Sequence, residues 1–233
     1  MTRTQRIMFV EPPKDLWFVM GEYLPPPLGI LELAAYLGAH NKNVEIEVLD
    51  CQAERVDWDE LEKRIESSHP DILASSALAT CNTFTVLRAL ETAKRVNPDM
   101  VTLAGGQHFT ATAQESLESY PEIDIIVRGE GEQTLADLVN TLERGRPLSK
   151  VKGIWFRHRG EIVHTPSRPP IKNLDELPLP GYHFVRDHMS RYHFTMMAGL
   201  KAGYALVEAS RGCPHRCTFC SQWSFWGNEW RAK

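Results

Sequence analysis

Three cysteines fall within eight residues in the segment Arg211-Gly212-Cys213-Pro214-His215-Arg216-Cys217-Thr218-Phe219-Cys220. The spacing Cys-x3-Cys-x2-Cys puts three thiolates on one tight loop, enough to hold three irons of a cubic iron–sulfur cluster. The fourth iron then has no protein ligand from this motif, and an open metal position distinguishes a site that does chemistry from one that only staples a fold. Structural zinc, with His215 as a fourth ligand, is the alternative. Its spacing lies in the range zinc uses, but His215 is squeezed between two cysteines of one short loop. Otherwise His215 and Arg216 read as solvated loop residues. Cys51 and Cys81 stand apart and read as small packing residues. Five cysteines so placed are too few and too uneven for a disulfide framework, so the clustered thiols read as metal ligands in a reducing compartment.

The elements that must position this loop begin with an α/β pattern. Five short apolar runs, at Ile7–Val10, Val44–Leu49, Asp71–Ala74, Met100–Ala104 and Ile123–Val127, alternate with amphipathic stretches. Four of them are apolar on both faces, as in parallel strands covered by helices above and below. The second is polar at alternate positions and belongs nearer an edge. Helical spacing covers Leu28–Ala39, Asp57–Ser67, Thr83–Val96 and Gln133–Leu142. The pattern predicts a doubly wound five-stranded parallel sheet over residues 1–147, with ligands at the carboxyl ends of the strands. Residues 148–203 read as a small β-hairpin, Gly153–Arg157 with Glu161–His164, followed by a semi-rigid proline-rich linker. A strand-like run, Ala205–Ala209, then leads into the cysteine loop and opens a third region, 204–233. A barrel needs roughly 250 residues, so a barrel starting at Tyr204 is expected to be incomplete within this chain.

Composition narrows the partners. Of 233 residues 42% are hydrophobic and 24% charged, with a net charge of −4, which fits a globular protein and argues against a surface devoted to nucleic acid or anionic lipid. No run of about eighteen apolar residues is present to span a bilayer. The polar start, Met1–Gln5, has no secretion-signal core, so the chain reads as soluble and cytoplasmic.

With its aromatic Phe219 before the last cysteine, the loop resembles the radical S-adenosylmethionine superfamily. That resemblance implies a [4Fe-4S] cluster on Cys213, Cys217 and Cys220, whose free iron chelates the amino and carboxylate groups of S-adenosylmethionine. An electron from the cluster cleaves the sulfonium to methionine and a 5′-deoxyadenosyl radical, and Phe219 lies near the adenine. The first domain resembles the cobalamin-binding domain that precedes the barrel in one large group of these enzymes, which includes radical methyltransferases and cyclases of the anaerobic magnesium-protoporphyrin monomethyl ester type. The residues carrying the likeness are Pro26-Pro27-Leu28-Gly29, Ser75-Ser76-Ala77, Gly105-Gly106-Gln107-His108 and Gly129-Glu130-Gly131-Glu132.

The residues themselves suit such a ligand. Gly105 and Gly106 let backbone approach a flat ring, Ser75 and Ser76 offer hydroxyls to a nucleotide tail, and Gly129 and Gly131 allow a tight turn. Glu132 is placed for the next helix N-terminus. Each also has a plainer reading: glycines as turns, Glu130 and Glu132 as capping charges, His108 as an exposed loop histidine. The resemblance assigns Gly29, Gln52, Ser75, Ser76, Gly105, Gly106, His108, Gly129, Glu130 and Gly131 to cobalamin. One departure stands out. Mutases and methionine synthases carry Asp-x-His-x-x-Gly after the second strand, and here Gln52 stands at the cobalt-ligating histidine and Arg55 at the glycine. Nitrogen ligation from this loop is absent, and Cys51 leaves a soft thiolate near cobalt as an option.

The resemblance implies radical methylation or a related rearrangement of a small-molecule substrate, with an electron donor such as flavodoxin or ferredoxin. Two rivals remain: a radical enzyme whose first domain binds no cobalamin, and a non-enzymatic α/β binding module stapled by zinc. The tryptophans after the cluster, Trp223, Trp226 and Trp230, lack basic neighbours for base stacking and are expected to pack beneath the cluster or on the first domain.

Overall fold

The computed structural model describes residues 4–14, 23–194 and 204–233. Part of the Met1–Gln5 reading and residues 195–203 of the linker reading lie outside the described residues.

All five apolar runs are strands of one sheet: β1 (Gln5–Glu11), β3 (Val44–Asp50), β4 (Ile72–Ser76), β5 (Val101–Gly105) and β6 (Ile125–Val127). They pair in parallel in the order β3-β1-β4-β5-β6. β1 shows why the runs are continuous: Ile7 and Phe9 enter the core on one face, Met8 and Val10 the core on the other. Burying each such side chain contributes roughly 1.5–3 kcal/mol. β3 carries Glu45 and Glu47 at alternate positions and is the edge strand.

Helices α1 (Leu28–His40) and α7 (Glu132–Glu143) cover one face of the sheet. The other is covered by α3 (Trp58–Ser68), α4 (Thr83–Val96), α5 (Gly106–Ala111) and α6 (Ala113–Ser119). Asp57 caps α3 by accepting from the Glu60 N–H at 2.9 Å, which satisfies a donor that the helix leaves open.

The hairpin and the linker are more tightly bound to the domain than their sequence indicates. Strands β7 (Ile154–His158) and β8 (Glu161–His164) extend the sheet to seven strands, β7 pairing antiparallel with β6. The pairing supplies hydrogen-bond partners to the apolar β6, which would otherwise be an open edge. The proline-rich stretch is packed rather than a free spacer. Ile171, Leu174 and Leu177 form a small buried cluster against Tyr36 of α1, which holds the stretch on the domain. Beyond it, 3-10 turns over Tyr182–Arg191 lead to β9 (His193–Phe194), which pairs with β2 (Tyr23–Leu24).

Residues 205–209 form no strand. The hydroxyl of Tyr182 takes the place of a ladder partner, accepting from the Leu206 N–H at 2.8 Å and donating to its carbonyl at 2.6 Å. Ribbon formation starts at β10 (Ser210–Arg211), which pairs antiparallel with β11 (Arg231–Ala232), and between them lies a short helix, α8 (Gln222–Trp226).

Candidate functional site

A cavity of about 1640 Å³ opens at the carboxyl ends of β1, β4, β5 and β6, where a parallel α/β sheet forms its ligand crevices. It exceeds the ~300–1,000 Å³ of an ordinary small-molecule pocket. Gly29 lines it from α1, and Gln52 lines it from α2 (Cys51–Glu54). Ser75 and Ser76 contribute from the end of β4, Gly105 from the end of β5, Gly106 from the start of α5, and Gly129, Glu130 and Gly131 from the turn after β6. Phe225 and Trp226 of α8 complete the wall from the cysteine-bearing segment.

Position in the wall separates residues open to a ligand from those engaged by protein. A methyl group added at Gly29 would meet nothing within 4 Å, so that edge is open to a large flat group. Gly106 is constrained by the protein itself: its φ is +90°, and a Cβ would lie 2.6 Å from the Ala77 carbonyl oxygen. The Ser75 hydroxyl is spent on the Val10 carbonyl at 2.8 Å, leaving Ser76 the freer of the pair. His108 does not line the cavity. Its Nδ1 sits 3.2 Å from the Thr80 hydroxyl, and burial lowers its pKa.

The Gln52 loop is fixed from below. Asp50 caps α2 by accepting from the N–H groups of Gln52 and Ala53 at 3.1 and 3.0 Å. Arg55, at the glycine position of the histidine-bearing motif, ends the helix with φ at 61°, a left-handed conformation that explains why glycine suits this place. Arg191 of the linker donates to the Ala53 carbonyl. Cys51 is fully buried, and burial, then the nearby Asp50 and Glu54 carboxylates, push its thiol far up, so it stands as a packed thiol and not as a thiolate. Cys81 departs from its expected packing role: it is exposed and lines the cavity, because it lies in a short 3-10 turn beyond the end of β4.

Sequence alone does not pair the residues that hold the cysteine segment in place. Arg211, 2% exposed, donates to Glu132 at 2.6 Å and to Glu208 at 2.6 Å, and reaches Glu32 at 3.3 Å and Glu130 at 3.6 Å. Its guanidinium carbon lies 5.0 Å from the centre of the Trp226 ring. Arg231 is paired with Glu130 and donates to the Ile171 carbonyl at 2.5 Å, while the second Glu130 oxygen accepts from the Ile171 N–H at 2.8 Å. Both oxygens of Glu130 are therefore engaged by protein donors. Burial works against the charge on Arg211, yet Glu132 and Glu208 raise its pKa further. Glu32 moves up to about 7, first through burial and then through Glu208, against the pull of Arg211. One of its oxygens is buried with no partner. The available signal was two acidic residues in a glycine turn and an arginine on each side of the cysteines, but no spacing rule joins them.

The cysteine loop lies at the surface. Cys217 is exposed, Cys213 and Cys220 half-buried, and Phe219 91% exposed. Trp223 and Trp230 are also exposed, whereas Trp226 lies against Arg211 of its own segment and lines the cavity shared with the first domain. Among the described residues no three His, Cys, Asp or Glu side chains stand close enough together to hold a metal ion. Three thiols on one loop suit an iron–sulfur cluster in kind, and binding requires the loop to draw the sulfurs together. The volume at the strand ends and the open space at Gly29 suit a corrin.

The B12 binding domain family matches residues 20–139. A protein described as an uncharacterized methyltransferase, PH0819 of Pyrococcus horikoshii, is 32% identical over 98% of this chain and 48% of its own length. The anaerobic magnesium-protoporphyrin IX monomethyl ester cyclase of Rubrivivax gelatinosus is 36% identical over 86% of this chain and 36% of that protein. The chain thus spans less than half the length of either relative. The cobalamin-dependent S-adenosylmethionine radical enzyme OxsB, solved with aqua-cobalamin and S-adenosylmethionine bound, superposes with a TM-score of 0.74 at 23% identity, over 98% of this chain and 30% of that one. At that identity the likeness is one of fold.

Proposed function

The chain belongs to the B12 binding domain family, and on that footing we propose that it forms the cofactor-holding part of a cobalamin-dependent radical S-adenosylmethionine enzyme. The observation that carries the proposal is the cavity itself, walled on one side by strand-end residues and on the other by Phe225 and Trp226 of the cysteine-bearing segment.

In this reading residues 1–147 hold cobalamin, 148–203 connect, and 204–233 begin the radical domain. Gly29, Ser76, Gly105, Gly129 and Gly131 would hold the corrin, and Gln52, on the same wall, would offer it an amide where the related motif carries an imidazole. Cys213, Cys217 and Cys220 hold a [4Fe-4S] cluster, and Phe219 meets S-adenosylmethionine. When bound, the cluster supplies the electron that cleaves the sulfonium, and the corrinoid supplies a methyl group or assists a related rearrangement. The chain's own part is to orient both and to exclude water with apolar walls. The substrate is a small molecule, the reductant a flavodoxin or ferredoxin, and the compartment the cytoplasm. No helix among the described residues is long and apolar enough to cross a membrane.

The test is anaerobic reconstitution of the full chain with hydroxocobalamin, iron and sulfide, followed by gel filtration and metal analysis. Retention of a corrinoid together with iron and acid-labile sulfide is expected. The cobalt(II) form should give paramagnetic resonance lines without splitting from an axial nitrogen, unchanged in Gln52→Ala, because a neutral amide is a much poorer cobalt ligand than imidazole. Zinc without sulfide would favour a stapled binding module. Iron without corrinoid would leave a radical enzyme with a degenerate first domain.

A further inference from the structure

Arg211 and Arg231 are register partners in the β10–β11 ribbon, and the loop between them, residues 212–230, carries all three clustered cysteines. Like charges directly opposite one another in a ribbon repel, and both arginines are buried, which makes the arrangement unfavourable unless anions face them. Glu208 of the same segment supplies one such anion, 2.6 Å from Arg211, and the others come from the first domain. Glu130 pairs with both arginines, and Glu132 and Glu32 with Arg211, while Trp226 packs over the Arg211 guanidinium. The turn beside Arg211 is equally restricted: Gly212 has φ +86°, and a Cβ there would overlap the Glu229 carbonyl.

We propose that Arg211 and Arg231 are positioning residues that clip the base of the cysteine loop onto the strand-end edge of the first domain through Glu130, Glu132 and Glu32. The Glu130 and Glu132 carboxylates of the turn after β6 thereby set the distance and orientation between the two cofactor sites and are spent on the arginines, leaving Gly129 and Gly131 to face the cavity. That these sites hold a corrinoid and a cluster rests on the function proposed above; the clip itself does not. An Arg fork can serve two carboxylates at once, whereas a lysine keeps the charge without the bidentate geometry. Arg211→Lys should therefore retain the docking in part and Arg211→Met should lose it.

Hydrogen exchange on the full chain without cofactors tests the clip alone. Arg211→Met and Glu132→Gln should speed exchange at residues 210–232 at least tenfold, with β1, β4 and β5 still protected, and Arg211→Lys should fall between these variants and the parent. Unchanged protection at 210–232 in Arg211→Met, or equal loss across the sheet in all three variants, would overturn the proposal. A spectroscopic arm reads positioning directly. After loading, the dipolar interaction between cobalt(II) and the reduced cluster should show a broader distance distribution in Arg211→Lys at unchanged iron and corrinoid content. A distribution identical to the parent's would also overturn it. If the parent chain takes up no corrinoid or iron, the functional reading fails while the exchange result still decides the clip.

Discussion

The hydroxyl of Tyr192 donates a 2.9 Å hydrogen bond to the carboxylate of Asp50, joining residues 142 positions apart. Both groups are buried. Burial raises the pKa of Asp50, opposed by the N–H of Ala53, the Tyr192 hydroxyl and the N–H of Gln52; burial and the Asp50 charge push Tyr192 up, so it remains a donor. The contact ties the linker to the loop that holds Gln52. Tyr192→Phe removes one of three donors from a buried carboxylate and should destabilise the chain by about 1.5–3 kcal/mol. Urea unfolding of the two proteins measures it, and equal midpoints would mean that the loop is held by Arg191 and the cap alone.

Glu32 gives a pH dependence with a definite sign. Its pKa rises from 4.5 unfolded to about 7 folded, so the native state binds the extra proton between those values. Stability from this group is present below pH 4.5 and is lost as pH rises through about 7. The full effect is on the order of 3 kcal/mol. Glu32→Gln should flatten the fall in unfolding free energy between pH 5 and 8 (approximate bounds of the titration). Parallel curves for parent and variant would place the titration elsewhere.

The cysteines divide three to two. Replacing Cys213, Cys217 or Cys220 by Ala should each abolish retention of iron and sulfide, because every iron of the cluster needs its own thiolate. Cys51→Ala and Cys81→Ala should leave iron content unchanged. Iron lost from either of the latter would point to a different ligand set.

Two glycines predict opposite outcomes. Gly29→Ala extends into open space near the start of a helix and should hold or slightly raise stability, by up to about 1 kcal/mol, while lowering corrinoid retention. Gly106→Ala must place a Cβ against the Ala77 carbonyl at φ +90° and should cost about 2–4 kcal/mol. Thermal melts and corrin absorbance after gel filtration separate the two cases.

The sheet and its long helices were legible because their signals are local. Continuous apolar runs marked the strands, Thr83–Val96 was read to its boundaries before Pro98, and the polar alternation of Val44–Leu49 placed β3 at the edge. Nine of the ten residues that the family resemblance assigns to cobalamin line the cavity, which opens, as the topological rule has it, at the carboxyl ends of the parallel strands. His108 escaped that rule because α5 starts at Gly106 and turns its ring toward Thr80. What stayed hidden depends on contacts between distant positions. The docking of the hairpin onto β6, the burial of Ile171, Leu174 and Leu177, and the pairing of Arg211 with Glu32 across 179 positions leave no periodic trace. The run 205–209 read as a strand because composition cannot report that a tyrosine hydroxyl takes the ladder partner's place.

The two outer strands of the sheet have a bearing on self-association. Among the described residues β3 and β8 are the two outer strands, and each presents a row of backbone groups with no strand partner, the template by which sheets of separate molecules join and aggregate. β3 places Glu45 and Glu47 along that row, with Arg6 bound to Glu45 at 3.2 Å, and β8 begins with an exposed Glu161. An approaching identical strand would bring like charges together. Both borders are therefore poor seeds for intermolecular pairing.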